Sequence, residues 1–210
     1  MFKSYHNKKE LIDQLINNQD AVLDVGFWGQ GVSIKDPNWV HNLLRSKAKE
    51  VYGIDLEFDV GQLSDTSHYL RASAENFDFN LKFDVIFAGD LIEHLSNPGL
   101  FLAACSRNLK DDGRLIITTP NCFNFFNITE KISKSEPTVN KDHTCYLNSK
   151  TLRQLLDKNN WSVKEYSYLY SLEVKYKESW KKKVLNVFYN VLSKFTNKFM
   201  VDLVVVAVKK

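Results

Sequence analysis

Val22-Leu-Asp-Val-Gly-Phe-Trp-Gly-Gln-Gly31 is the stretch on which the fold turns. A short apolar run stops at Val25 and gives way at once to glycines at 26, 29 and 31. Glycine permits positive φ and carries no side chain, so a ligand can come close to the backbone of such a bend. Runs of the same kind recur at 50–55, 68–71, 83–88, 114–119, 161–169 and 200–208. They lack strict polar alternation, which suits strands covered on both faces. Between them lie helical patterns. Residues 38–46 put Trp39, Leu43 and Leu44 on one side, 98–109 start at Pro98 after Asn97, and 149–158 start at Ser149, an expected N-cap. Strand–helix alternation predicts an α/β sheet with crossover helices.

The 210 residues are 44% apolar and 25% charged, with 13% aromatics and a net charge of +3. This excludes disorder as the main state and fits one domain spanning 1–210. Three cysteines (Cys105, Cys122, Cys145) form no C-x-x-C pair, so neither a disulfide framework nor a cysteine zinc site is expected, and a reducing cytoplasm is the simple location. The opening MFKSYHNKKELIDQL has no apolar run of secretory-signal type. Residues 1–19 are expected to form a helical cover, 120–148 a long insert on the substrate side, and 173–199 a basic helical insert before the last strand.

Charge is uneven. Residues 1–174 carry 19 basic against 23 acidic side chains, and 175–210 carry nine against two. An acidic body offers no groove for a phosphate backbone, so nucleic acid is not the expected partner. In the tail, Trp180, Val184, Val187, Phe188, Val191, Leu192, Phe195 and Phe199 recur at helical spacing among lysines. The return to a final strand favours packing of this helix on the sheet. A peripheral membrane contact through 175–199 is the alternative.

Asp55 closes the second run, where an acid can accept hydrogen bonds from both ribose hydroxyls of a nucleoside. The G-x-x-G-x-G spacing at 26–31 differs from the G-x-G-x-x-G of nicotinamide-dependent enzymes and argues against that class. With VLDVG at 22–26 stand VYGIDL at 51–56, ASAEN at 72–76, FDVIFAGDLIEHL at 83–95 and LKDDGRLIITTPN at 109–121. Together these resemble the class I S-adenosylmethionine-dependent methyltransferases, over about residues 20–170. The subgroup they look most like holds ubiquinone-pathway O-methyltransferases and bacterial small-molecule and sugar methyltransferases. The resemblance implies an α/β, Rossmann-like seven-stranded sheet, six strands parallel and the last antiparallel, with helices on both faces, and S-adenosyl-L-methionine as cofactor. It implies a glycine loop (Gly26, Phe27, Gly29, Gly31) around the methionine moiety, Asp24 at its amino end, and Asp55 at the ribose, with Leu56 also among the cofactor-binding residues. Ser73 and Ala74 would face adenine, and Ala88, Gly89 and Asp90 would lie beneath methionine and acceptor. The loop is one residue longer than the family's D-x-G-x-G-x-G, Phe27 and Trp28 are bulky, and Ser73 stands where the family often has an aspartate.

Methyl transfer from a sulfonium is an in-line displacement, for which the protein mainly aligns the reacting atoms. A hydroxyl acceptor also needs a base. Asp90, Glu93, His94 and His143 are the candidates. On a short helix from residue 90, Asp90, Glu93 and His94 would share a face, and His94 has a pKa suited to neutral pH. His94, Asp90 and His143 are the expected catalytic residues. The same groups could hold a divalent cation, and D-x-x-E-H followed by TPN and a distant DH also resembles metal-dependent small-RNA 2′-O-methyltransferases, but the leading expectation includes no metal. The expected acceptor is a small-molecule or sugar hydroxyl, met by Asn121, Phe123, Phe125, Phe126 and Tyr146 of the insert. A monomer or homodimer is expected. The rival from another class is a non-catalytic cofactor-binding module on the same fold.

Overall fold

Burial on both faces is what the apolar runs demand, and the sheet supplies it. The computed structural model describes residues 3–29, 33–63, 67–170 and 180–210. Its strands are β1 (Ser4–Tyr5), β2 (Ala21–Val25), β3 (Glu50–Asp55), β4 (Tyr69–Arg71), β5 (Phe83–Gly89), β6 (Leu109–Pro120), β7 (Trp161–Leu169) and β8 (Asp202–Lys209). The helices are α1 (Lys8–Leu15), α2 (Val40–Lys47), α3 (Pro98–Asn108), α4 (Phe125–Ser133), α5 (Ser149–Lys158) and α6 (Trp180–Ser193). The sheet order is β1-β7-β8-β6-β5-β2-β3-β4. β8 is antiparallel to β6 and β7, and the other pairings are parallel.

Strand parity sorts the two layers. Val22, Val85, Phe87, Ile116 and Val204 face α1 and α2, packing on Leu11, Ile12, Val40 and Leu44. Leu23, Val25, Ile86, Ala88, Ile117 and Val205 face α3 and α5, packing on Phe101, Leu102, Leu152 and Leu156. Pro98 opens α3 as expected.

Four expectations need correction. The sheet has eight strands, not seven, because Ser4–Tyr5 pairs with β7 at the sheet edge. The N-terminal segment is therefore a strand followed by a helix; Tyr5 is buried there and donates to Glu165 Oε1 at 2.7 Å. The N-cap of α5 is Asn148 rather than Ser149: its side chain accepts the Lys150 and Thr151 amides, and Thr151 completes a capping box. The basic helix α6 does not bury its apolar residues in the sheet. It turns Tyr189 inward and leaves Val184, Val187, Phe188 and Val191 exposed. The start of the basic insert, 173–179, lies outside the described residues. No described helix is long and apolar enough to cross a membrane.

Candidate functional site

The carboxyl ends of β2 and β5 lie side by side, with β3 and β4 running away on one flank and β6 on the other. Such a switch point is where an open α/β sheet leaves a crevice. After β2 the chain turns at Gly26 (φ +76°), whose amide donates to the Ile54 carbonyl at 2.8 Å. A Cβ at Gly26 would come within 2.9 Å of Leu91 Cδ1. Gly29 is also left-handed (φ +71°), and a Cβ there would meet nothing within 4 Å, so bare backbone faces open space. Gly31 lies outside the described residues.

Asp55 closes β3, and its Oδ2 accepts the Trp28 amide at 2.9 Å. Oδ1 is 3.4 Å from the Glu57 amide. Burial pushes the Asp55 carboxyl above its ordinary value, and these amides pull part of the way back. Leu56, beside it, is 65% exposed. Past β4, the Ser73 hydroxyl accepts the Glu75 amide at 3.2 Å, and Ala74 is half-buried. Ala88 is fully buried, and Gly89 sits so near Phe87 that a Cβ would fall 2.9 Å from its ring.

Two of these residues, Asp24 in β2 and Phe27 in the loop after it, are placed otherwise than expected. Asp24 shares strand parity with Val22, so its carboxylate points beneath α2 and not toward the crevice. It is fully buried, with Oδ2 2.9 Å from His41 Nδ1, and His41 Nε2 lies 3.1 Å from the Tyr69 hydroxyl. Phe27 is likewise buried, in a cluster with Trp39 and Phe58. Both brace the loop from below. His41, which the sequence reading passed over, is signalled by its place on the buried side of α2.

Beyond β5 the expected helix is a single 3-10 turn, Ile92–His94. Asp90 precedes it in a left-handed conformation (φ 52°), so it does not share a helical face with Glu93 and His94. The strained residue is held from three sides. Its amide donates to the Thr118 carbonyl at 3.0 Å, its Oδ1 accepts the Thr118 hydroxyl at 2.8 Å, and its Oδ2 meets Lys8 Nζ at 2.6 Å. Thr118 and Lys8 were missed by the sequence reading. Thr118 is signalled by its register opposite Gly89.

Glu93 points inward and is 2% exposed. Its Oε2 accepts the Thr119 hydroxyl at 2.9 Å, and its Oε1 has no hydrogen-bond partner among the described residues. Burial, reinforced by the nearby Asp90 charge, pushes its carboxyl up to about 7. The Glu93 carbonyl accepts the Thr144 amide at 2.8 Å and the Thr144 hydroxyl at 3.0 Å, pinning the 120–148 insert to this turn. His143 is thereby carried against His94, their ring centroids 4.6 Å apart and the planes nearly perpendicular. Burial and the His94 charge lower the His143 pKa. His94 Nδ1 is 3.2 Å from the Asp142 carbonyl. A carbonyl only accepts, so Nδ1 carries a proton, and in the neutral ring the lone pair is on Nε2. Glu93, His94 and His143 each offer a ligand atom, all within 4.8 Å of one another.

The insert builds a wall next to this trio. Tyr146 meets the His143 ring at 6.3 Å between centroids. It also lines an apolar groove of about 420 Å³ with Phe123, Ile128, Ile132 and Val139.

A methyltransferase domain family model matches residues 9–166. The ubiquinone biosynthesis O-methyltransferase of Dechloromonas aromatica is 30% identical over 131 residues, covering 57% of this chain and 55% of that protein. The enzyme of the same name from Rhodopseudomonas palustris is 34% identical over 53 residues, 25% of this chain and 21% of that one. The matches thus span about half, or less, of these curated relatives. Among solved structures, a SAM-dependent methyltransferase from Archaeoglobus fulgidus superposes with a TM-score of 0.61 at 17% identity, over 96% of this chain and 94% of that chain. Burkholderia thailandensis 1,6-didemethyltoxoflavin-N1-methyltransferase, solved with S-adenosylhomocysteine, gives 0.60 at 14% identity, over 97% and 76%. These structures share the fold, and the family match runs from α1 into β7: the chain belongs to the methyltransferase domain family.

Proposed function

We propose that the chain transfers a methyl group from S-adenosylmethionine to a hydroxyl of a small acceptor, with His94 receiving the proton. The observation that carries this reading is the Asp55 carboxylate tied to the Trp28 amide, which sets a ribose-type acceptor against a bare glycine loop at the switch point. The residues present fit the cofactor. Gly29 leaves backbone open to a ligand, Asp55 Oδ1 is only loosely engaged at 3.4 Å, and exposed Leu56 offers an apolar platform for a purine. In place of the expected Asp24 side chain, the Gly26–Gly29 backbone and the Asp90 region are assigned to the methionine end, and Ser73 and Ala74 to adenine.

When bound, S-adenosylmethionine supplies a methyl carbon already activated by its sulfonium. The chain then has to orient the acceptor and take up one proton. His94 Nε2, its tautomer set by the Asp142 carbonyl, is the base. His143, with its depressed pKa, stays neutral beside it at pH 7. The curated relatives' names support oxygen as the accepting atom. The apolar groove beside Tyr146 favours a ring-bearing acceptor over a bare sugar.

Calorimetry with S-adenosylhomocysteine tests the first half. The parent binds, and Asp55→Ala binds at least roughly tenfold more weakly, because ribose hydroxyls lose their acceptor. Transfer of labelled methyl to a panel of phenols, prenylated rings and sugars tests the second. His94→Ala lowers turnover by about 10²-fold or more while leaving S-adenosylhomocysteine affinity intact. A parent that binds no S-adenosylhomocysteine removes the proposal.

A second reading rests on the mutual 4.8 Å spacing of Glu93, His94 and His143. These residues would hold a divalent cation, which supplies a positive charge to lower the pKa of an acceptor hydroxyl. Loss of turnover in chelator, restored by Mg²⁺ or Mn²⁺, separates this from the base-only reading.

A further inference from the structure

α6 is fixed to the body along one side. Tyr189 is 1% exposed and stacks on Tyr170 with centroids 5.0 Å apart. Its hydroxyl donates to the Tyr170 carbonyl at 3.0 Å, and its ring meets Phe125 and Phe126 of α4. At 3.6 residues per turn, Val184, Val187, Phe188 and Val191 fall on the opposite side of the helix from Tyr189. They are 45–62% exposed, and Phe195, just past the helix end, is 78% exposed. A contiguous apolar stripe of this kind is costly in water and marks a surface that something covers.

The charge around the stripe selects the occupant. Lys183 falls along its edge by the same helical count, and exposed Lys194 follows directly after the last residue of the helix. Residues 175–198 hold seven lysines and one acid, whereas residues 1–174 are net acidic. A second copy facing this stripe across a two-fold axis would bring like charges together. An anionic lipid surface meets both demands at once, since it takes the apolar side chains below its headgroups and pairs the lysines with them. The helix has 14 residues and no described helix can span a bilayer, so α6 would lie in the interface.

We propose that the Val184–Val187–Phe188–Val191 stripe of α6, edged by lysines, docks the protein onto an anionic lipid surface. The full chain is sedimented with phosphatidylcholine vesicles, with and without phosphatidylglycerol. The parent follows the anionic vesicles and stays in solution with the neutral ones, and added salt weakens the binding. Val187→Asp/Phe188→Asp lowers partitioning roughly tenfold or more, with thermal midpoint and S-adenosylhomocysteine affinity unchanged. Lys183→Glu/Lys194→Glu leaves the apolar stripe intact and also lowers it, which keeps the test open if the first variant folds poorly. Absence of sedimentation with anionic vesicles overturns the proposal. So does a parent dimer that either variant converts to monomer while vesicle binding is unaltered.

Discussion

Glu93 holds a carboxyl group where water barely reaches it. Its pKa is raised to about 7, by burial first and by the Asp90 charge second. Ionising it in the folded state is therefore harder than in the unfolded chain. The contribution that the protonated Glu93 makes to native-state stability is complete below about 4.5 and is lost as the pH rises to and through about 7. Glu93→Gln keeps the shape and an oxygen for the Thr119 hydroxyl but cannot ionise. In chelator, the variant's thermal midpoint should gain on the parent's as the pH goes from 5 to 8, and a pH-independent difference would contradict the buried carboxyl. Added Mg²⁺ or Mn²⁺ should shrink that difference only if the Glu93, His94 and His143 trio binds a cation, because a cation favours the charged form.

His41 gives a second test at this scale. Removing it by His41→Leu strands the Asp24 carboxylate at full burial, a change costing about 3 kcal/mol. Denaturant unfolding should show that loss, and the Asp24→Leu/His41→Leu pair should recover part of it. Asp24 also shows where legibility stopped at single residues. Its strand position was readable, but the family resemblance drew it toward a ligand, whereas parity with Val22 sends it under α2. His94 and His143 were readable as chemistry. Their contact depends on the Thr144–Glu93 backbone bond, which no local pattern announces.

At the scale of elements, β3 and the loop after β2 are built around each other. A Cβ at Gly53 would fall 2.8 Å from Phe27 and 2.9 Å from Tyr69. Those rings sit in a packed cluster with Trp39 and Phe58 and have little room to yield. Gly→Ala in a strand ordinarily stabilises slightly through the unfolded state. Here overpacking wins, and Gly53→Ala should destabilise by about 1–3 kcal/mol in denaturant titration. A neutral or stabilising result would mean that the cluster is loose. The long elements were readable in the sequence because many residues vote for each: the buried strands through continuous apolar runs, α3 through Pro98. Ser4–Tyr5 and Ile92–His94 were not, since two or three residues carry no period. The outward stripe of α6 was visible as apolar spacing. That spacing alone does not say which of two apolar sides meets the sheet, and Tyr189 decides it.

Across the whole molecule, the proposed cofactor site is assembled from separate pieces: the Gly26–Gly29 turn, Asp55–Leu56, Ser73–Ala74 and Ala88–Asp90, each at or just past the carboxyl end of a different strand. Lys8 adds a clasp from α1 through Asp90. A ligand touching all of them must stabilise the fold by mass action, since the unfolded chain has no such site. At a ligand concentration a hundredfold above Kd the gain is about 2.7 kcal/mol. For a domain of this size that corresponds to a rise of roughly 5–10 °C in thermal midpoint. S-adenosylhomocysteine should produce this rise, and NADH should not. Asp55→Ala, binding tenfold more weakly, gives up about 1.4 kcal/mol at the same concentration and so roughly 3–6 °C of the rise. His94→Ala should keep all of it, because His94 is assigned to the acceptor's proton and not to the cofactor. An equal loss in both variants would place the imidazole in the nucleoside site and dissolve the division of labour between β3 and the turn after β5.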